Sequence, residues 1–140
     1  MRHLAATLAL CASAALGACG SHRPPYTPIA RPDRVTPSVG AVEEGMASWY
    51  GPGYDGNRTS CGDRFDQDAL TAAHPTWACG TRIRVTLLST GRSAVVTIND
   101  LFPGRKGRVI DLSRGAAKAI GLIGPGTGEV RIEVVELPQP

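Results

Sequence analysis

Residues 81–100, which read TRIRVTLLSTGRSAVVTIND, decide the fold. In residues 81–87 every second side chain is apolar, and residues 93–99 largely repeat that alternation. A period of two directs successive side chains to opposite faces, so each segment is predicted to be a β-strand with one buried face. The four residues at 89–92, which include a glycine, are typical of a hairpin turn between the two strands.

The rest of the chain also favours short strands. Residues 130–134 alternate in the same way and predict a last strand. The one convincing helix spans residues 114–120, with Ser113 as its N-cap and Gly121 at the position that follows its C-terminus. Glycine and proline supply 17 and 11 of the 140 residues, which favours many turns. A mainly β domain over residues 45–138, closed into a small barrel with one or two short helices, is therefore predicted.

The N-terminus predicts export. Residues 1–18 combine a short basic start with an apolar stretch of alanine and leucine, as in a secretory signal peptide. Small residues precede Cys19, and this resembles a bacterial lipobox, which implies that Cys19 begins the mature chain and carries lipid. Ordinary cleavage beside an incidental cysteine is the alternative. The proline-rich residues 19–44 are predicted to be a tether.

Length and charge exclude several classes of protein. A chain of 140 residues is too short for a multidomain enzyme. After the N-terminus no apolar stretch reaches the roughly 18 residues of a transmembrane helix. The net charge of +3 is spread over the chain without basic runs, which disfavours nucleic acid as a partner. We expect a monomer.

Two cysteines, Cys61 and Cys79, lie in the predicted barrel. In an exported protein an even pair favours a disulfide. A loop of roughly 18 residues would then contribute about 3 kcal/mol to stability. A reactive pair, or a metal site completed by His74, is the alternative, although these residues lack the close spacing of a zinc motif.

Several short motifs follow one another in a fixed order through the predicted domain. They are GMASWYG at 45–51, TSCGDRFD at 59–66, LTAAH at 70–74, GTRIRV at 80–85, IND at 98–100 and VIDLS at 109–113. This series resembles the rare lipoprotein A (RlpA) family, whose core is a six-stranded double-psi β-barrel related to the catalytic domain of expansins. The resemblance covers about residues 45–137. It implies that barrel and the family's activity, lytic transglycosylation of peptidoglycan on glycan strands stripped of stem peptides.

The resemblance places functional residues at Asp63, Asp66, His74 and Asp100. Asp63 departs from the family pattern, which usually has glutamate there, and the commoner form of the family has no cysteine at position 61. Residues 100–104 read DLFPG, where the family usually has Asp-Arg-Gly-Pro, so an arginine and a glycine expected to contact substrate are missing.

The reaction sets what these residues must do. Cleavage without water needs a group that protonates the departing oxygen, and a base for the muramic acid C6 hydroxyl, which attacks C1 and closes a 1,6-anhydro ring. Asp100 is predicted to be both acid and base. Asp63 and Asp66 are predicted to face it across a cleft and stabilise an oxocarbenium-like transition state. His74 is predicted to orient a carboxylate or the sugar.

Other residues are given supporting or structural roles. Tyr54 is predicted to stack on a sugar in the groove, and Arg58 and Arg64 to position substrate. Trp49 is predicted to lie in the core. Asp111 is predicted to cap the helix or to bond the barrel backbone.

The leading hypothesis is a lytic transglycosylase, a carbon–oxygen lyase that needs no cofactor or metal. Its partners would be peptidoglycan glycan strands and, through the lipid on Cys19, a membrane of the cell envelope. In a cell with two membranes this would be the periplasmic face of the outer membrane. A non-catalytic expansin-like glycan-binding or wall-loosening lipoprotein is the alternative, favoured by Asp63 and the altered loop after Asp100. A hydrolase with a metal bound by Asp66, His74 and Asp100 is a third possibility.

Overall fold

The structure, a computed structural model, describes residues 34–105 and 107–139. The predicted signal peptide, Cys19 and most of the predicted tether lie outside the described residues. These described residues form six strands and one α-helix in chain order, with one 3-10 turn, Pro52–Tyr54, after the first strand. They are β1 (Val42–Tyr50), β2 (Thr71–Ala73), β3 (Arg82–Leu87), β4 (Ser93–Asp100), β5 (Arg108–Ser113), α1 (Arg114–Ile120) and β6 (Gly128–Glu136).

The six strands close into one barrel in the order β1-β5-β2-β4-β3-β6, with β6 returning to β1. Two pairs, β1 with β5 and β2 with β4, are parallel, and the remaining neighbours are antiparallel. This arrangement confirms the predicted mainly β, six-stranded barrel. Because closure pairs both edges of every strand, the barrel leaves no exposed sheet edge for aggregation.

The interior is built from the alternating positions that the sequence displays. Ile83, Val85 and Leu87 are at most 3% exposed, whereas Arg82 and Arg84 between them are exposed. Each aliphatic side chain that is fully buried stabilises the fold by about 1.5–3 kcal/mol. The other strands contribute the remainder of one cluster, which includes Ala47, Ala72, Val96, Ile98, Ile110, Leu112, Val130, Ile132 and Val134.

Helix α1 begins and ends as its sequence predicts. The Ser113 side chain accepts a hydrogen bond from the backbone amide of Ala116, and Gly121 ends the helix in the left-handed conformation at φ 83°. The helix buries Ala116, Ala117 and Ile120 in the barrel core. Among the residues that the structure describes, no helix is both long and apolar enough to cross a membrane.

The last residues of the predicted tether are bound to the barrel. Strand β1 begins at Val42, three residues inside the segment assigned to the tether. Before it, Val35 donates its amide to the carbonyl of Thr76 at 2.8 Å and accepts from the amide of Ala78 at 2.9 Å. The Gly40 amide donates to the carbonyl of Val134. Backbone pairing therefore fixes this segment even though its side chains show little apolar periodicity.

A disulfide fixes the long connection between β1 and β2. Cys61 is bonded to Cys79, with Cα atoms 5.8 Å apart. Residues 51–70 contain no strand of the barrel. The bond therefore attaches this connection to the chain just before β3.

The start of α1 also packs on this connection, and glycine is required for that contact. The Gly115 amide donates to the carbonyl of Gln67 at 2.8 Å. A Cβ at Gly115 would lie 2.2 Å from the carbonyl oxygen of Asp68, well inside van der Waals contact. The helix can thus approach the connection only without a side chain at this position.

We expect Gly115→Ala to lower the free energy of unfolding by about 1–3 kcal/mol, because the backbone of the connection must shift. This loss should appear even though alanine is intrinsically the better helix former by about 1 kcal/mol. Gly124→Ala is the matched control, since nothing lies within 4 Å of a Cβ there. Urea unfolding followed by tryptophan fluorescence measures both, and equal stabilities of the two variants would contradict the packing described.

Candidate functional site

A cavity of about 260 Å³ lies where three strands end. The last residues of β1, β2 and β4 are Tyr50, Ala73 and Asp100, and all three line it. In the parallel pairing of β2 with β4, Ala73 lies beside Asp100. The register of the barrel therefore brings these strand ends together. The complete lining is Tyr50, Tyr54, Ala73, Asp100, Leu101, Phe102, Pro103 and Asp111.

The carboxylate of Asp100 is held by one of its two oxygens. Oδ1 accepts hydrogen bonds from the Ser60 amide at 2.9 Å, the Ser60 hydroxyl at 2.6 Å and the Leu101 amide at 2.8 Å. Three donors on one oxygen fix the orientation of the side chain. Within the described part of the chain, Oδ2 has no hydrogen-bond partner, so it is the oxygen available to a ligand in the cavity.

A second carboxylate, Asp111, lines the same cavity and is 9% exposed. Its Oδ2 accepts from Arg108 Nη2 at 2.6 Å, and its Oδ1 accepts from the Ser48 hydroxyl. Asp111 was predicted to cap the helix or to bond the barrel backbone, but Ser113 is the N-cap and both Asp111 oxygens bond to side chains. An ion pair that is mostly buried instead holds Asp111 at the cavity.

Two tyrosine rings line the cavity together with the two carboxylates. Tyr50 stacks on Phe65 with centroids 4.5 Å apart, and its edge meets Tyr54 at 5.8 Å. Burial raises the pKa of Tyr50 well above its usual value, and the charges of Asp100 and Asp111 raise it further. The buried Tyr50 hydroxyl, which has no partner among the described residues, therefore remains a hydrogen-bond donor.

The altered loop after Asp100 forms another part of the lining. Leu101, Phe102 and Pro103 all contribute to the lining, and the Arg108 guanidinium lies 5.5 Å from the centre of the Phe102 ring. The loop lacks the arginine that the family usually has there, and in its place the structure has an apolar wall. Such a wall can pack on the apolar face of a sugar ring.

Tyr54 lines the cavity and is 59% exposed. Trp49 is half-buried and packs against the barrel core. The fully enclosed tryptophan is Trp77, which is 6% exposed.

His74 does not line the cavity. Its side chain is 1% exposed and stacks on Trp77 with centroids 4.2 Å apart. Its Nδ1 accepts from the amides of Thr76 and Trp77, and its Nε2 lies 3.4 Å from a carboxylate oxygen of Glu43. His74 reaches Asp100 through the backbone alone, by donating its amide to the Asp100 carbonyl at 3.2 Å.

The environment of His74 favours the neutral imidazole. Burial lowers the pKa of His74 to about 4. The two amides that donate to Nδ1 require this nitrogen to be unprotonated, which acts in the same direction. Burial also raises the pKa of Glu43, the carboxyl group nearest to Nε2.

Asp63 and Asp66 are exposed and are not part of the cavity lining. Asp66 Oδ1 accepts the amide of Asp68 at 2.8 Å, which is a local turn contact. Asp63 closes a turn with Thr59, whose hydroxyl accepts a hydrogen bond from the Asp63 backbone amide. The structure therefore does not bring these carboxylates to face Asp100, because local backbone bonding directs each one into a turn.

Arg58 and Arg64 are exposed on the same connection, also outside the cavity lining. They pair through an isolated bridge, and each guanidinium donates to a carbonyl of the connection, Gly62 for Arg58 and Gly56 for Arg64. These contacts stiffen the loop that carries Ser60.

Asp66, His74 and Asp100 do not form a ligand set. Residues 34–105 and 107–139 contain no group of three histidine, cysteine, aspartate or glutamate side chains arranged to hold a metal ion. The hypothesis of a metal-dependent hydrolase therefore has no support in the geometry of this part of the chain.

Sequence reasoning missed three contributors to the site, Ser60, Tyr50 and Asp111. The motifs at 45–51, 59–66 and 109–113 contain them, so the signal was present. Their roles follow from strand register and loop contacts, which the motifs alone do not specify.

Known proteins resemble most of the described domain. A family described as "Lytic transglycolase" matches residues 42–132. A Synechocystis protein named "Probable endolytic peptidoglycan transglycosylase RlpA" is 54% identical over 99 residues, which are 71% of this chain and 31% of that protein. The endolytic peptidoglycan transglycosylase RlpA of Campylobacter jejuni is 48% identical over 70% of this chain and 36% of its own length. The chain thus spans about a third of the length of these curated relatives.

A solved structure shares the barrel. The apo form of Clavibacter michiganensis expansin superimposes with a TM-score of 0.57 and 26% sequence identity, covering 71% of this chain and 53% of the expansin.

Because burial keeps His74 neutral in the folded state, we expect the protein to lose stability in acid. The pKa of His74, about 4 in the folded state, lies below its ordinary value of 6.5, so the unfolded chain binds a proton first as the pH falls. The neutral His74 contributes fully to the free energy of unfolding above pH 6.5. This contribution is lost as the pH falls toward 4, and it amounts to about 3 kcal/mol at most.

We expect His74→Phe to be less stable at pH 7 and to show a flatter stability profile between pH 6.5 and 4. Urea unfolding at several pH values measures this, with Asp66→Asn as the exposed control. A His74→Phe profile parallel to that of the wild type would contradict the assignment.

Proposed function

Because the chain belongs to the lytic transglycolase family, we propose that it cleaves the glycan strands of peptidoglycan at the cavity that contains Asp100. The bond cleaved is the one between N-acetylmuramic acid and N-acetylglucosamine, and the product carries a 1,6-anhydromuramic acid end. The preferred substrate is glycan without stem peptides. The observation that carries this proposal is a carboxylate fixed by three donors on one oxygen, with its other oxygen unpartnered at an open cavity.

Asp100 performs both proton transfers. Protonated on Oδ2, it gives its proton to the glycosidic oxygen as the bond from that oxygen to C1 breaks. The C6 hydroxyl oxygen then bonds to C1, and its proton passes to the Asp100 carboxylate. Atoms balance without water, and Asp100 returns to its starting state.

The surrounding groups stabilise charge and orient the sugar. Asp111, held by Arg108 and Ser48, supplies negative charge near the oxocarbenium-like carbon. The Tyr50 hydroxyl donates to a sugar oxygen, which gives this buried group the partner it lacks. Tyr54, exposed at the rim, stacks on the neighbouring sugar.

The remaining predicted residues act at a distance from the bond. We assign Asp63, Asp66, Arg58 and Arg64, all on the exposed connection, to contacts with the glycan beyond the cavity. His74 supports the chain at Asp100 through its backbone amide.

Asp100→Asn is expected to lower the rate of cleavage by about 10²–10⁴-fold, because an amide can neither give nor accept the required proton. The assay incubates the mature chain with purified denuded glycan strands and counts 1,6-anhydro ends by mass spectrometry. Glu129→Gln, at an exposed position of β6 outside the cavity lining, is the matched control and should retain activity within about threefold.

An expansin-like glycan-binding protein without catalysis is the second candidate. It is favoured by the expansin barrel at 26% identity and by the apolar wall of Leu101, Phe102 and Pro103. It predicts that wild type and Asp100→Asn sediment equally with insoluble glycan and that neither releases anhydro ends. That pair of results would replace the enzyme proposal with the binding one.

We also propose that the protein is attached to a membrane of the cell envelope by lipid on Cys19, with the proline-rich residues that follow as a tether. The support is the small-residue sequence before Cys19. Several acyl chains on one residue anchor stably, because each buried methylene contributes about 0.8 kcal/mol.

Cys19→Ser should abolish incorporation of radioactive palmitate and move the protein to the soluble fraction. Cys11→Ser, within the apolar stretch of the signal, is the control and should leave both unchanged. Palmitate that remains on Cys19→Ser would refute lipidation at this residue.

A further inference from the structure

We propose that Ser60 is a positioning residue for Asp100 and that Arg34, within the predicted tether, fixes the direction of the Ser60 hydroxyl. The inference rests on the proposed function for its consequence in catalysis. Its geometric basis is independent of that function, because it consists of hydrogen bonds that join Arg34, Ser60, Asp100 and Leu101.

The hydrogen bonds of Ser60 leave its hydroxyl one orientation. A serine hydroxyl has one proton and two acceptor lone pairs. Ser60 Oγ accepts from the Leu101 amide at 2.7 Å, whose single proton is shared with Asp100 Oδ1, and from Arg34 Nη2 at 3.1 Å. With both acceptor sites in use, its proton is directed at Asp100 Oδ1, 2.6 Å away.

This orientation gives the two oxygens of Asp100 different tasks. Oδ1 receives the Ser60 hydroxyl proton and two backbone amides, so a proton on Oδ1 would displace an existing donor. Oδ2 is therefore the oxygen that exchanges a proton with the sugar. A carboxylate held in this way presents one reactive oxygen in one direction, and a misplacement of about 1 Å can cost about 100-fold in rate.

Covalent and backbone contacts hold the two supporting residues. Ser60 precedes Cys61, whose disulfide to Cys79 anchors the connection. Arg34 precedes Val35, which is paired with the segment around Trp77 by two backbone hydrogen bonds. Arg34 Nη1 also donates to the Trp77 carbonyl at 3.4 Å. This part of the predicted tether thereby belongs to the structure that orients Asp100.

The test compares Ser60→Ala, Ser60→Thr and Arg34→Met in the full mature chain, with Ser93→Ala at an exposed strand position as control. Ser60→Ala should lower kcat by about 10- to 100-fold while KM changes by less than about threefold, because the lost contact orients a reacting group. Ser60→Thr, which keeps a hydroxyl, should recover most of kcat. Arg34→Met should lower kcat less than Ser60→Ala does.

A second readout does not depend on activity. Couplings between the α and β protons of Asp100, measured by NMR, report whether its side chain occupies one rotamer. The wild type, Ser60→Thr and Ser93→Ala should show one rotamer, and Ser60→Ala should show averaging with an unchanged melting temperature. If Ser60→Ala does not fold, the same measurement is made on Arg34→Met, in which the Asp100 side chain should also show rotamer averaging.

Failure of this inference can be told apart from failure of the proposed function. A wild-type chain that cleaves no glycan overturns the function, while the rotamer measurement still decides the positioning role. An Asp100 side chain that keeps one rotamer in both Ser60→Ala and Arg34→Met overturns the inference, even in an active enzyme.

Discussion

Three hydrogen bonds to a single oxygen, Asp100 Oδ1, are the constraint on which the site depends. They come from the end of β4 and from a connection far away in sequence, so the barrel and the connection must both be in place. Donors on one oxygen leave the other free at the cavity. The disulfide beside Ser60 and the pairing of β2 with β4 hold the two segments that supply and carry this geometry.

The sequence predicted the parts of the fold that local rules govern. The alternation in residues 81–87 and 93–99 became β3 and β4 within one residue of each boundary, and Ser113 and Gly121 end the helix as expected. Cys61 and Cys79 are joined. The strands and the helix ends depend on period, capping and glycine conformation, each of which is determined by a few consecutive residues.

The site was less predictable because it depends on register between distant strands. Parallel pairing of β1 with β5 places Ser48 beside Asp111, which brought a residue expected to cap a helix into the cavity. His74 shares a motif with residues of the site, yet two backbone amides bind its Nδ1 and turn the ring into the interior. A motif shows which residues occur together and does not show which way each side chain points.

The central claim is that Asp100 moves a proton between two sugar oxygens without the participation of water. The most direct measurement is the cleavage of glycan strands in water enriched in oxygen-18, with the new ends analysed by mass spectrometry. The account predicts 1,6-anhydro ends that contain no oxygen-18. Reducing ends labelled with oxygen-18 would show hydrolysis and would contradict it.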